Sequence, residues 1–232
     1  MFRGIKKFTG LTSGDEDEAS NSSKDLSRFL FGGKTMADVT AFWRTDKSNG
    51  ENAKVGARVI DDVRYLMSGS KNTCVVWPAE VPSTEFYPIT GESIPGNWIA
   101  HLVSTWYLGL TASSQAAFFS DMVAYGTLMG EVNRADAEHL VPIPETFIEF
   151  YSVLTRSDGQ SVHPAHALEF FERHSLPHVT MVPFERLVLE SVIERVRKDA
   201  TSEGSVLYLL DRDANVVGLV KVKVGLGCVH IF

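Results

Sequence analysis

The chain has 232 residues, is 44% apolar and carries a formal net charge of -7. It can bury a sizeable core as one domain, with or without a tail; no apolar run is long enough for a membrane-spanning helix, and Cys74 and Cys228 are too widely separated to suggest a disulfide scaffold or a zinc site, which fits a reducing cytoplasmic or nuclear compartment. The negative charge weighs against a nucleic-acid partner without excluding one, because phosphate-tracking proteins are usually basic.

Residues 1–34 read as a disordered or flexible tail, with one domain over 35–232. A basic opening, Met1 to Phe8, gives way to an acidic knot, Asp15 to Glu18, in a Ser/Asn/Gly-rich stretch, so the body is closer to neutral than the whole. Gly32-Gly33-Lys34-Thr35 has the look of the end of a P-loop. The motif's first glycine would fall at Arg28, so a plain turn is expected there.

Next comes a polar turn, Thr45-Asp46-Lys47-Ser48-Asn49-Gly50-Glu51-Asn52. Short strands over 54–60 and 73–77 flank the turns that carry Lys47 and Lys71. Apolar spacing predicts helices over 98–107 and 115–123. His163-Pro164-Ala165-His166 holds two histidines three apart, but proline at a first-turn position predicts a solvent-facing helix start, over 164–174, rather than a metal site. Val188, Val192, Ile193 and Val196 form the stripe of a helix over 185–199, with arginines and Lys198 towards its C-terminal end.

The chain closes on a predicted hairpin, 205–210 and 216–224, around the loop Asp211 to Asn215. A register symmetric about Asp213 sets Glu203 opposite Lys223 and Ser205 opposite Lys221. Alternation places Lys221 and Lys223 on one face and Val220, Val222 and Val224 on the other. A one-residue slip would invert that arrangement. A carboxylate and two amines on one patch of sheet could hold a phosphate and a metal.

Six elements follow one another in a set order. They are Lys47-Ser48-Asn49-Gly50 continuing into Glu51-Asn52, the turn Ser68 to Asn72 bearing Lys71, Tyr125-Gly126-Thr127, the run Ile148-Glu149-Phe150-Tyr151, Glu203-Gly204, and Lys221-Val222-Lys223. Together, over about residues 40 to 224, they resemble the adenylyltransferase domain of the ATP-dependent RNA ligase family, within the covalent nucleotidyltransferase superfamily. The resemblance implies an α/β (α+β) fold of antiparallel sheets with helices packed outside and an ATP cleft between.

It also implies ATP and Mg2+ as cofactors, RNA ends as partners, and roles for particular residues. Lys47 would be the nucleophile, assisted by Lys221 and Lys223. Asn49, Gly50, Asn52, Lys71, Tyr125, Gly126, Phe150 and Glu203 would bind the nucleotide, and Glu203 would face the metal. Thr127 stands where the aromatic-Gly-Glu element has glutamate, and Glu131, four residues on, is the candidate substitute. The chain ends soon after Lys223, so the further C-terminal domain that many family members carry is not expected.

The chemistry implied is attack of the Lys47 amine on the ATP α-phosphorus, giving lysyl-AMP, then transfer to a 5′-phosphate and sealing by a 3′-hydroxyl. An amine must lose its proton to attack, and neighbouring cations and desolvation both favour the neutral form. Taken singly, each element has a plainer explanation. Lys47 would be a solvated turn lysine, Tyr125 and Phe150 core aromatics, and the paired lysines protection of a sheet edge. A capping-type guanylyltransferase using GTP, or a catalytically degenerate nucleotide- or nucleic-acid-binding relative, are the alternatives.

Overall fold

In the computed structural model the described residues are 10–11, 26–48, 50–90, 94–136, 144–199 and 201–224. Asn49, Cys228 and the acidic knot at 15–18 lie outside them. The chain divides into two compact units, and each is built on a five-stranded sheet. The first unit contains Asn49–Val162 and Ala167–His178; the second contains Lys7–Ser48, His163–His166 and Val179–Phe232.

In the second unit, strand β1 (Gly10–Leu11) pairs in parallel with β10 (Val216–Lys223). Antiparallel pairing then runs from β10 to β9 (Gly204–Leu210), β2 (Ala41–Asp46) and β8 (Met181–Phe184). One face of the sheet is apolar. Phe42, Leu207, Leu209, Val220 and Val222 pack there with Ile193 and Val196 of α4 (Leu189–Lys198). That helix is shorter than expected, because Arg186–Val188 form a separate 3₁₀ turn ahead of it. Leu26 and Phe29, within the stretch expected to be tail, are buried in the same cluster.

The hairpin forms, but its register differs from the symmetric one. Val216 opposes Leu210, a bulge intervenes, and Gly218 then opposes Leu209. From there Lys221 faces Val206 and Lys223 faces Gly204, so neither Ser205 nor Glu203 is their partner. The physical reason is non-local: Phe31 N–H donates to the Val217 carbonyl at 2.7 Å and Leu30 bridges Gly218, so the 26–31 segment claims the bulged residue. The facing of the lysines survives the slip, since Val220 and Val222 are buried and Lys223 is exposed.

In the first unit the strand order is β5 (Cys74–Pro78), β4 (Val63–Gly69), β3 (Glu51–Ile60), β6 (Gly126–Asn133) and β7 (Phe147–Thr155), all antiparallel. Helix α1 (Pro95–Leu108) has proline in its first turn. Helix α2 (Ala112–Tyr125) is capped by Thr111, whose side chain accepts from Ser114 N–H, and it stops at Gly126, φ 143°. Val55, Leu128 and Phe150 of the sheet line a cavity of about 200 Å3 together with Val103 of α1 and Phe118 of α2. This sets the helix-facing side of the sheet.

Helix α3 (Pro164–Arg173) begins at the expected proline, with His163 Nδ1 accepting from Ala165 N–H at 3.0 Å. His163 also meets Trp43 edge-on at 5.6 Å, so only His166 of the pair is exposed. Among the described residues no group of three or more potential metal-ligating side chains is found, and no helix is long and apolar enough to cross a membrane.

Candidate active site

In the second unit, β2 ends at Asp46, and Lys47 carries its pairing one step further by donating its backbone N–H to the Gly204 carbonyl at 3.0 Å. Alternation from Phe42 turns Trp43, Thr45 and Lys47 to the face opposite α4. On β9 and β10 the same face carries Val206, Lys221 and Lys223. Lys47, Gly204 and Lys223 therefore form one row across three strands. The outer backbones are about 10 Å apart, two strand spacings.

The middle residue of that row has to be glycine. Its φ is 135°, and a Cβ at 204 would lie 2.1 Å from the Val222 carbonyl oxygen. The row thus has a lysine at each end and no side chain between. Lys221 adds a third amine along β10. An anion above Gly204 would meet cations from both sides.

Glu203 was expected to oppose Lys223. It instead meets the nucleophile candidate: its Oε1 lies 2.5 Å from Lys47 Nζ. Both side chains are mostly withdrawn from water, 14% and 18% exposed, so the pair is poorly screened. Lys47 Nζ also donates to the Ser48 carbonyl at 3.2 Å. A carboxylate at this position can hold the ammonium or accept its proton.

In the first unit the face away from the helices is polar at one end. Asn52 opposes Glu131, which opposes Glu149. Glu131 Oε2 accepts from Gly50 N–H at 2.9 Å. Gly50 is demanded by close approach rather than by a left-handed turn, since a Cβ there would lie 2.5 Å from the Val132 carbonyl oxygen. Arg134 sits at the same end, paired with Glu51 and Asp136, and hydrogen bonding to Asp136 holds its guanidinium more firmly protonated than usual.

Two expectations change here. Phe150 is 2% exposed, lines the helix-side cavity and stacks on Phe171, so it is a core aromatic on the wrong face to accompany Asn52. Tyr151, next along β7 at a bulge between Phe150 and Ser152, faces the other side, where Asn52 Nδ2 donates to its hydroxyl at 3.5 Å. Tyr125 and Gly126 lie at the opposite end of β6 from Glu131, with Tyr125 against Phe170 at 5.5 Å. Thr127 is buried within β6. The Gly-Glu pair that Thr127 interrupts recurs as Gly130-Glu131, beside Gly50.

Lys71 is exposed in the turn between β4 and β5, as expected, at the end of the sheet shared with Lys54 and Gly69. Asn49 lies outside the described residues. The structure thus groups Lys47, Glu203, Lys221 and Lys223 in one unit, and Gly50, Asn52, Glu131 and Tyr151 in the other. Glu131, expected as the candidate substitute for the glutamate that Thr127 replaces, falls in the second group. Tyr151 was named only within the run that points to Phe150, and alternation along β7, which turns neighbours to opposite faces, could have singled it out.

No family model and no curated protein matches the sequence. Solved structures do. An archaeal ATP-dependent RNA ligase aligns with 96% of this chain at 13% identity and a TM-score of 0.56, using 48% of its own length. A Naegleria gruberi RNA ligase mutant with AMP and Mn aligns with 96% at 11% identity and a TM-score of 0.60, using 56% of its length. Another mutant of that ligase, with ATP and Mn, aligns with 81% at 12% identity and a TM-score of 0.55. The chain spans about half the length of these proteins. Its fold is that of ligase nucleotidyltransferase domains.

Proposed function

We propose that the protein is an ATP-dependent RNA ligase-type nucleotidyltransferase that forms lysyl-AMP on Lys47. The observation that carries this is the row Lys47, Gly204, Lys223, with Glu203 against the Lys47 amine. Lys47 Nζ attacks the α-phosphorus and a P–N bond forms. The bond from that phosphorus to the bridging oxygen breaks, and pyrophosphate leaves with the electron pair. Glu203, 2.5 Å from the amine, holds it as the ammonium before reaction, and the proton passes to water before the attack. Lys221 and Lys223 offset the negative charge that grows on the phosphate oxygens.

Magnesium suits this donor set, because it binds through one or two carboxylates plus substrate phosphates and keeps several waters. Glu203 would be the carboxylate that holds it. When bound, the ion would neutralise phosphate charge. Asn52, Glu131 and Tyr151, together with Gly50 and Lys71, are proposed to contribute to nucleotide affinity. Nucleic-acid ends, RNA in the first instance, would receive the adenylate.

The test is intact mass spectrometry after incubation with magnesium and ATP or, separately, GTP. Wild type should gain one adenylate from ATP alone, and Lys47→Ala should gain none. An adduct that persists in Lys47→Ala removes the assignment, and a guanylate adduct alone would make the protein a capping-type enzyme instead.

A further inference from the structure

The first unit contains five arginines among its described residues, and they fall into two groups. Arg64 pairs with Glu80, Arg134 with Glu51 and Asp136, and Arg173 with Asp121. Arg58 and Arg156 form no ion pair among the described residues. Both lie at the end of the sheet remote from Gly50 and Asn52. Arg58 extends β3 beyond Gly56, the last residue paired with β6, and Arg156 follows Thr155, the last residue of β7, itself opposite Gly126.

Gly56 and Leu154 both oppose Thr127, and Arg58 and Arg156 each lie two residues further on along parallel-running β3 and β7, so the register sets them in one row with one strand between. Partial burial first, then the charge of Arg156, pulls the Arg58 pKa below its ordinary value. Arg156 Nη1 donates to the Val123 carbonyl near the C-terminus of α2, at 3.3 Å, which fixes the side chain but leaves donors to spare. Arg58 stands opposite Tyr65 in the β3–β4 register. Beside Arg156 is an open depression lined by Ala124, Tyr125, Thr155 and Ser157. Like charges held together without a carboxylate cost stability unless an anion joins them. Guanidiniums beside tyrosines and hydroxyls suit a phosphate within a strand of bases, since arginine bonds phosphate bidentately and tyrosine offers a stacking face.

We propose that Arg58 and Arg156 form a phosphodiester-binding subsite for a polynucleotide strand, with no part in the adenylylation chemistry of Lys47. The proposal rests on the polynucleotide part of the proposed function but not on lysyl-AMP formation. It also gives a net-acidic chain a local means of holding nucleic acid. The acidic side chains nearest in sequence, Asp61, Asp62 and Asp158, pair with neither arginine; Asp158 is occupied by Thr155 and Gln160.

The experiment measures binding of a fluorescent single-stranded RNA oligonucleotide by anisotropy across a salt series, with adenylate gain by mass in parallel. Arg58→Ala combined with Arg156→Ala should weaken RNA binding about tenfold at moderate salt and flatten the slope of log K against log salt by about 1.4. Adenylate gain should be unchanged, and Arg58→Lys with Arg156→Lys should restore most of the salt slope. RNA affinity and slope that do not change in the double alanine variant overturn the subsite. So does wild type that binds inorganic phosphate but no RNA. Failure of wild type to gain adenylate would instead count against the lysyl-AMP reading, leaving the RNA result to stand by itself.

Discussion

The two sheets are built alike and charged differently. Each has five strands and buries one face against helices through Leu, Val and Phe side chains. On its other face, the second unit's sheet presents amines, at Lys47, Lys221 and Lys223, with a single carboxylate at Glu203. The first unit's sheet presents amide, phenol and carboxylate groups at Asn52, Tyr151, Glu131 and Glu149, with Lys54 the next residue on that face of β3. Each row is completed by a glycine that another backbone approaches closely, Gly204 in one unit and Gly50 in the other. Architecture supplies the rigid face, and the side chains raised from it determine the chemistry.

The largest break in that comparison should come from the basic row. Lys221→Ala or Lys223→Ala should slow adenylate gain about a hundredfold, the usual cost of losing one preorganised charge stabiliser. Single-turnover labelling with ATP would measure it. Rates within twofold of wild type would reduce these lysines to surface charge.

Next in size are the glycines. Gly204→Ala should destabilise the protein by about 2–3 kcal/mol, because it combines a left-handed φ with a carbonyl contact. Gly50→Ala, which meets the contact without the unfavourable φ, should cost less. Urea denaturation of the two variants measures the difference. Equal and negligible losses would mean that neither row needs its close approach.

The smallest effect belongs to the acidic row. Glu131→Gln keeps the shape and the acceptor for Gly50 N–H but loses the charge, and should cost about 1 kcal/mol of stability. A loss several times larger would assign Glu131 a structural role beyond anchoring Gly50.

Much of this was legible in the sequence. Helices α1, α2 and α3 show periodic apolar positions with proline or a hydroxyl cap at the start, and the last hairpin shows two β-rich runs around a polar loop. Strand β6 was visible only through its resemblance to a family element, since it is buried on both faces for most of its length and lacks the period-two pattern. Strand β8 carries Pro183, which argues against a strand unless it lies at an edge, where β8 is found. At the site, the ordered elements drew out Lys47, Gly50, Glu203, Lys221 and Lys223. They also pointed to Phe150 and Tyr125, which pack against Phe171 and Phe170 rather than beside Asn52 and Glu131.

The sequence by itself determined which residues alternate, which turns are polar, and hence that Lys221 and Lys223 share a face. Tertiary structure alone decided their partners. The bulge at Val217 is set by residues 26–31, far away in sequence, and it moves Lys223 opposite Gly204, leaving Glu203 to meet Lys47. Alternation is a local property of extended backbone. Register is a contest between distant hydrogen-bonding partners, and no local pattern records which of them wins.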